Sequence, residues 1–141
     1  MKQIKVLIVD DVLEVRRFLC DCLKATSPQF VTHEEGSGKR AIESLERGKF
    51  DLVLCDWDLP DKKGDEILSW VRTESKCKEL PFIMVTGFAE RDYITRAQEL
   101  GVTDYVVKPI NYAVLSRKIF KALKASLEMG EAGSTTLDNA K

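Results

Sequence analysis

The chain has 141 residues, 44% hydrophobic and 32% charged, with a formal net charge of −1. That length supports one real core and a single domain, and the balance is that of an ordinary globular protein. Near-neutral charge gives no electrostatic basis for a nucleic acid or anionic membrane as partner, and no apolar run approaches the roughly 20 residues of a membrane span.

Met1-Lys2-Gln3 leads directly into an apolar run with no signal-peptide architecture, so a cytoplasmic location is expected. Ile4–Val9 is a continuous, β-branched run, the pattern of a strand buried on both faces, and it ends at Asp10-Asp11. Val15, Phe18, Leu19, Cys22 and Leu23 then recur at helical spacing until Ser27-Pro28 stops the helix. Phe30–His33 reads as a weaker, more exposed strand. Gly36-Ser37-Gly38 breaks the chain before a short amphipathic helix carrying Ala41, Ile42 and Leu45, ended by Gly48.

Leu52–Cys55 is the next buried strand, and Asp56 follows it. Leu59-Pro60-Asp61-Lys62-Lys63-Gly64 is a loop by its Pro, Asp and Gly content, with Ile67, Leu68 and Val71 on the helix beyond. Phe82–Val85 forms a strand ending at Thr86. A helix with Ile94, Ala97 and Leu100 comes next, capped by Gly101. Tyr105–Val107 is the last strand and ends at Lys108. Asn111 is placed to cap a final helix holding Val114, Leu115, Ile119, Leu123 and Leu127. Five strands alternating with five helices imply an α/β fold with one parallel, doubly wound sheet covered on both faces. Residues 1–128 make the domain, and 129–141, with no aromatic residue and two glycines, are expected to be a flexible tail or the start of a linker.

The cysteines carry no framework. Cys20 and Cys22 lie about 200° apart on a helix and cannot easily share an ion, so all four cysteines are expected as free thiols. The lone His33 has no partner at metal-ligand spacing. Trp57 and Trp70 read as packing or surface-contact residues, and Lys62 and Lys63 as solvated loop residues.

What remains is a set of chemical groups at the C-terminal ends of four strands: Asp10 and Asp11, Asp56, Thr86, Lys108. In open α/β sheets that edge is where ligands bind. If the strands are neighbours, one pocket gathers three carboxylates, a hydroxyl and an ammonium. Crowded carboxylates resist ionisation unless a cation compensates, and Mg2+ prefers such oxygen donors together with phosphate. Lys108 suits a phosphoryl oxygen and Thr86 can bond another. The set matches phosphoryl transfer, which depends mainly on positioning and charge neutralisation.

The ordered series Asp10-Asp11, Asp56, Thr86 and Lys108-Pro109 resembles the CheY-like receiver domain of two-component response regulators. Leu59-Pro60, Gly64, Tyr105 and Gly101-Val102-Thr103-Asp104 support the resemblance, which covers about residues 4–127. It implies a flavodoxin-like (βα)5 fold with strand order 2-1-3-4-5. It also implies that Asp56 is the phosphoacceptor, charged by a sensor histidine kinase or a histidine phosphotransfer protein. Asp11 would ligate Mg2+ directly, Asp10 largely through water, and Asp58 through its backbone carbonyl, alongside Asp56 itself. Lys108 would contact the phosphoryl group, Thr86 would move toward it, and Tyr105 would turn inward behind it. The signal would reach a downstream protein target or output domain through the helix 4–strand 5–helix 5 surface, in a monomer or a phosphorylation-dependent dimer. Such a protein catalyses only its own phosphorylation and dephosphorylation. Phe88 is expected to screen the acyl phosphate from water, and the Asp58 carboxylate to oppose this by orienting water.

Asp56-Trp57-Asp58 also resembles the nucleophile motif of haloacid-dehalogenase-type phosphatases. There the metal-binding acids follow the motif, whereas Asp10-Asp11 precedes it here. A receiver-like interaction module that is no longer phosphorylated is the third reading, and the intact acid, hydroxyl and amine set argues against it.

Overall fold

A computed structural model describes residues 2–134 of the chain. The strands are β1 (Ile4–Val9), β2 (Phe30–Glu35), β3 (Leu52–Cys55), β4 (Phe82–Thr86) and β5 (Asp104–Val107). The helices are α1 (Leu13–Thr26), α2 (Gly38–Arg47), α3 (Gly64–Thr73), α4 (Arg91–Glu99) and α5 (Tyr112–Ser134). All strand pairings are parallel and the order is β2-β1-β3-β4-β5, the doubly wound flavodoxin-like arrangement.

Alternation along each strand divides the core in two. Val6, Ile8, Leu52, Leu54, Ile83, Val85 and Val106 face α1 and α5, where they meet Leu19, Leu23, Leu115 and Ile119. Leu7, Val9, Val53, Cys55, Phe82, Met84 and Tyr105 face the other helices and meet Ala41, Ile67, Leu68, Val71 and Ala97. The buried stretches of the central strands, Val6–Val9, Leu52–Cys55 and Phe82–Val85, are therefore continuously apolar because both faces are covered. Truncating any of the fully buried Leu7, Leu54 or Ile83 to Ala should cost about 2–5 kcal/mol.

Several local readings are met. Asn111 Oδ1 accepts from Val114 N at 3.0 Å and starts α5, and Gly101, at φ +88°, follows the last turn of α4. Cys20, Cys22 and Cys55 are buried free thiols and Cys77 is an exposed one. His33 pairs with Glu35 at 2.7 Å on the edge strand β2.

Two readings are corrected. Phe18 is 44% exposed and outside the core, while Cys20 is buried. The inward stripe of α1 is rotated so that Cys20 faces Thr32 and Glu34 of β2. The last helix continues past Leu127 to Ser134, overlapping the start of the expected tail. The surrounding Glu, Met and Ala are good helix formers, and a single interior Gly130 costs only about 1 kcal/mol. Residues 135–141 of that tail lie outside the described residues.

Candidate functional site

The strand order brings the ends of β1, β3, β4 and β5 side by side, and the chemistry-bearing residues sit just beyond them. Asp10 is held on every side. Its N–H donates to Glu35 O at 3.1 Å, and one carboxylate oxygen accepts from Val12 N at 2.9 Å. Asp56 continues the β1–β3 ladder, donating to Val9 O at 2.9 Å. One of its carboxylate oxygens faces Asp58 N at 3.3 Å. Asp10 and Asp56 are buried and Asp11 is exposed. One carboxylate oxygen from each of the three lies within 4.8 Å of the others.

Lys108 closes the set. Its Nζ donates to Asp10 Oδ2 at 2.8 Å and to Asp56 Oδ2 at 3.1 Å. Burial alone would push this ammonium toward losing its proton, but the Asp10 hydrogen bond and the Asp56 charge hold its pKa above the ordinary lysine value. Burial pushes the Asp10 carboxyl up despite Lys108, and the Asp56 charge adds to the rise. Three carboxylates against one ammonium leave the pocket short of positive charge. An all-oxygen donor set of this kind fits a hard divalent cation such as Mg2+.

Thr86 is buried at the end of β4, with its hydroxyl accepting from Phe88 N at 3.4 Å. Its carbonyl accepts from Lys108 N at 2.8 Å, so the hydroxyl and amine are fixed on adjoining strands. Tyr105 is already turned inward, and its hydroxyl donates to Phe88 O at 2.6 Å. The Asp58 carboxylate is exposed and 3.0 Å from Lys63 Nζ, directed at the β3–α3 loop. That contact gives Lys63 a partner as well as solvent.

Two contributors, Tyr93 and Arg16, escaped the reading of the sequence, and Gly64 gains a physical reason for its place. Gly64 N donates to Trp57 O, and a Cβ at Gly64 would lie 2.5 Å from Asp56 O, so α3 can approach the loop after β3 this closely only through glycine. Trp57 meets Tyr93 of α4 edge-on at 5.1 Å, and Tyr93 stacks on Phe88 at 4.5 Å. Arg16 donates from Nη1 to Asp10 O at 2.7 Å. Gly64 had a local signal, as the loop glycine ahead of a helix; Tyr93 and Arg16 had none, because their partners are distant in sequence.

Residues 6–120 match the response regulator receiver domain, and the chain belongs to that family. It is 37% identical over 120 residues to chemotaxis protein CheY-3 of Vibrio cholerae, covering 85% of this chain and 92% of that protein. It is 41% identical over 118 residues to chemotaxis protein CheY of Pseudomonas aeruginosa, covering 83% and 94%. Among solved structures, Vibrio cholerae CheY4 superposes with a TM-score of 0.79 at 26% identity, covering 86% of this chain and 99% of that one. A CheY-like receiver domain protein from Methanospirillum hungatei gives 0.82 at 25% identity, covering 91% and 99%. The chain is thus a CheY-like receiver of two-component signalling, and the phosphatase alternative falls. Among the described residues, no helix is long and apolar enough to cross a membrane.

Proposed function

We propose that this receiver is a Mg2+-dependent phosphorylation switch with Asp56 as its acceptor. The observation that carries the reading is Lys108 Nζ bridging Asp10 and Asp56 inside a cluster of three carboxylates. An Asp56 oxygen attacks the phosphorus of a phosphohistidine on a sensor histidine kinase or histidine phosphotransfer protein. The P–N bond breaks, its electron pair leaves with the imidazole, and Asp56 becomes an acyl phosphate. Asp10, Asp11, Asp56 and the Asp58 carbonyl would hold the cation. When bound, it neutralises charge on the carboxylates and on the transferring phosphoryl oxygens.

Esterification removes the negative charge that Asp56 offers to Lys108, freeing the ammonium to pair with a phosphoryl oxygen. The Thr86 hydroxyl exchanges its weak bond from Phe88 N for a charged phosphoryl acceptor. That exchange releases the segment whose carbonyl Tyr105 holds. The resulting population shift is read on the α4–β5–α5 surface by a downstream protein or output domain. The protein acts in the cytoplasm as a monomer or phosphorylation-dependent dimer, without direct contact to nucleic acid or membrane. The domain spans residues 1–128.

Incubation with acetyl phosphate, with and without Mg2+, tests this by intact mass beside Asp56→Asn. A single phosphoryl gain that needs Mg2+ and vanishes in the variant is expected. A gain retained by Asp56→Asn would overturn the assignment. If neither acetyl phosphate nor a histidine phosphotransfer protein charges the wild type, the phosphorylation-independent module replaces it.

A further inference from the structure

Beyond the groups that meet the phosphoryl group, we infer that Arg16 is a positioning residue for the cation pocket, holding the Asp10–Asp11 peptide so that Asp11 presents its carboxylate to the metal. The inference rests on the Mg2+-dependent reading above.

Where β1 ends, the sheet stops supplying partners. The Asp10 N–H still joins Glu35 O of β2, but the Asp10 carbonyl faces α1. Arg16, on the second turn of α1, donates to that carbonyl at 2.7 Å. Its Nε meets Glu34 Oε1 at 3.1 Å, and the side chains are only 17% and 29% exposed. The other Glu34 oxygen accepts from Cys20 Sγ at 3.6 Å. The guanidinium is therefore anchored from β2 through one edge while another N–H fixes the Asp10 carbonyl. A rigid fork suits this task, since a lysine has no second fixed donor.

A carbonyl fixed in this way sets the plane of the peptide that leads into Asp11. Asp10 needs no such help for its side chain, because Val12 N and Lys108 already grip the carboxylate. Asp11 is exposed, and its carboxylate takes no hydrogen bond from a protein donor among the described residues. Its place beside Asp10 and Asp56 is thus set mainly through its backbone. Glu34 also offsets the guanidinium charge, so Arg16 can stand behind the pocket without repelling a cation from it.

The test is calorimetric titration of Mg2+ into the unphosphorylated full chain, wild type beside Arg16→Gln. Groups that orient metal ligands are typically worth about 10- to 100-fold in affinity, so the variant should bind at least about tenfold more weakly. Its phosphoryl uptake from acetyl phosphate should shift to higher Mg2+ and reach the wild-type plateau, because the reacting groups are intact. Thr26→Ala is the control for general loosening of α1. It removes bonds to Tyr112 and Ser116 at the far end of the helix and should leave Mg2+ affinity within about twofold of wild type. Glu34→Gln frees the guanidinium from its anchor and should weaken Mg2+ in the same direction, which keeps the test open if Arg16→Gln does not fold. Unchanged affinity in Arg16→Gln, or equal weakening in Thr26→Ala, overturns the inference and leaves the function standing. A wild type that binds no Mg2+ overturns both.

Discussion

The Tyr105 hydroxyl donates a 2.6 Å hydrogen bond to the main-chain carbonyl of Phe88. A side chain on β5 thereby holds the segment that follows Thr86, the hydroxyl proposed to sense the phosphoryl group. Burial, followed by the nearby Glu90 and Asp56 charges, pushes the phenol up to about 12. A group whose folded pKa is raised contributes stability that is complete below its unfolded value of about 10 and is lost as pH rises through the folded one. Phenolate absorbance should therefore show one tyrosine ionising late, near pH 12, and Tyr105→Phe should remove that step. The variant should also lose about 1–2 kcal/mol of stability, since the Phe88 carbonyl is left short of a donor. A late step that survives in Tyr105→Phe would refute the assignment.

Lys108 is the sole ammonium hydrogen-bonded to the three-carboxylate cluster among the described residues. In Lys108→Met the buried Asp10 carboxylate keeps only its bond from Val12 N. Stripping one partner from a buried pair costs about 3–5 kcal/mol, and partial exposure of Lys108 places this case near the low end. Denaturant melts without Mg2+ should show that loss. Mg2+ should recover much of it and bind more tightly than to wild type, because a competing positive charge has gone. Phosphoryl uptake should nevertheless fall, as the transferred group loses its ammonium. A variant as stable as wild type without Mg2+ would show that the bridge carries little of the pocket's energy.

The loop after the acceptor is tied to a different helix. Asp61 accepts from Gly38 N and Lys39 N, both at 2.8 Å, and so caps α2 from across the site. Desolvation would raise this carboxyl, but the backbone donors outweigh it and hold its pKa below the ordinary value of 3.8. A depressed pKa means stability that is present above the unfolded value and lost as pH falls through the folded one. Asp61→Ala should cost about 1 kcal/mol at neutral pH, a capping value rather than that of a buried charge, given its exposure. The gap from wild type should begin to shrink below about pH 4, where the unfolded chain's carboxyl takes up its proton, and close at lower pH as the cap itself is protonated. Urea melts at pH 7 and pH 3 decide this; a gap that widens in acid would mean the carboxylate is not the active form of the cap.

The strand ends were legible because runs such as Leu52–Cys55, buried on both faces, are continuous in sequence and end sharply at a polar residue. Asp10, Asp11, Asp56, Thr86 and Lys108 could thus be placed on one sheet edge before any contact was known. The strand order was not legible from pattern alone and came from the family resemblance. Contacts between distant segments were not legible either. Arg16 looks like any charged residue on α1 until β2 brings Glu34 beside it. The phase of α1 differs at Phe18 because the helix turns Cys20 toward β2, which leaves Phe18, about 200° away, on the outer face. Trp57 reads as packing in either view, but its partner Tyr93 lies on a helix whose angle only the fold sets.

Those aromatic contacts bear on the lifetime of the phosphorylated state. Phe88 lies two residues beyond Thr86, with its ring stacked on Tyr93 at 4.5 Å and 23°. Tyr93 in turn meets Trp57, the neighbour of Asp56, edge-on at 82°. Pairs of this kind are worth about 0.5–1.5 kcal/mol beyond their burial, enough to hold a ring in one place. Under the proposed function, a ring held there would narrow the approach of water to an acyl phosphate on Asp56. The opposing group, the Asp58 carboxylate, is drawn off by Lys63. Phe88→Ala should therefore shorten the phosphoryl half-life by about threefold, a change of under ~1 kcal/mol in barrier. Tyr93→Ala should act in the same direction by releasing the ring without removing it. Half-lives followed by loss of the phosphoryl mass at fixed Mg2+ would show this. An unchanged or longer half-life in Phe88→Ala would mean that water reaches the acyl phosphate by a path the ring does not cover, and the short stack would then serve only to seat α4.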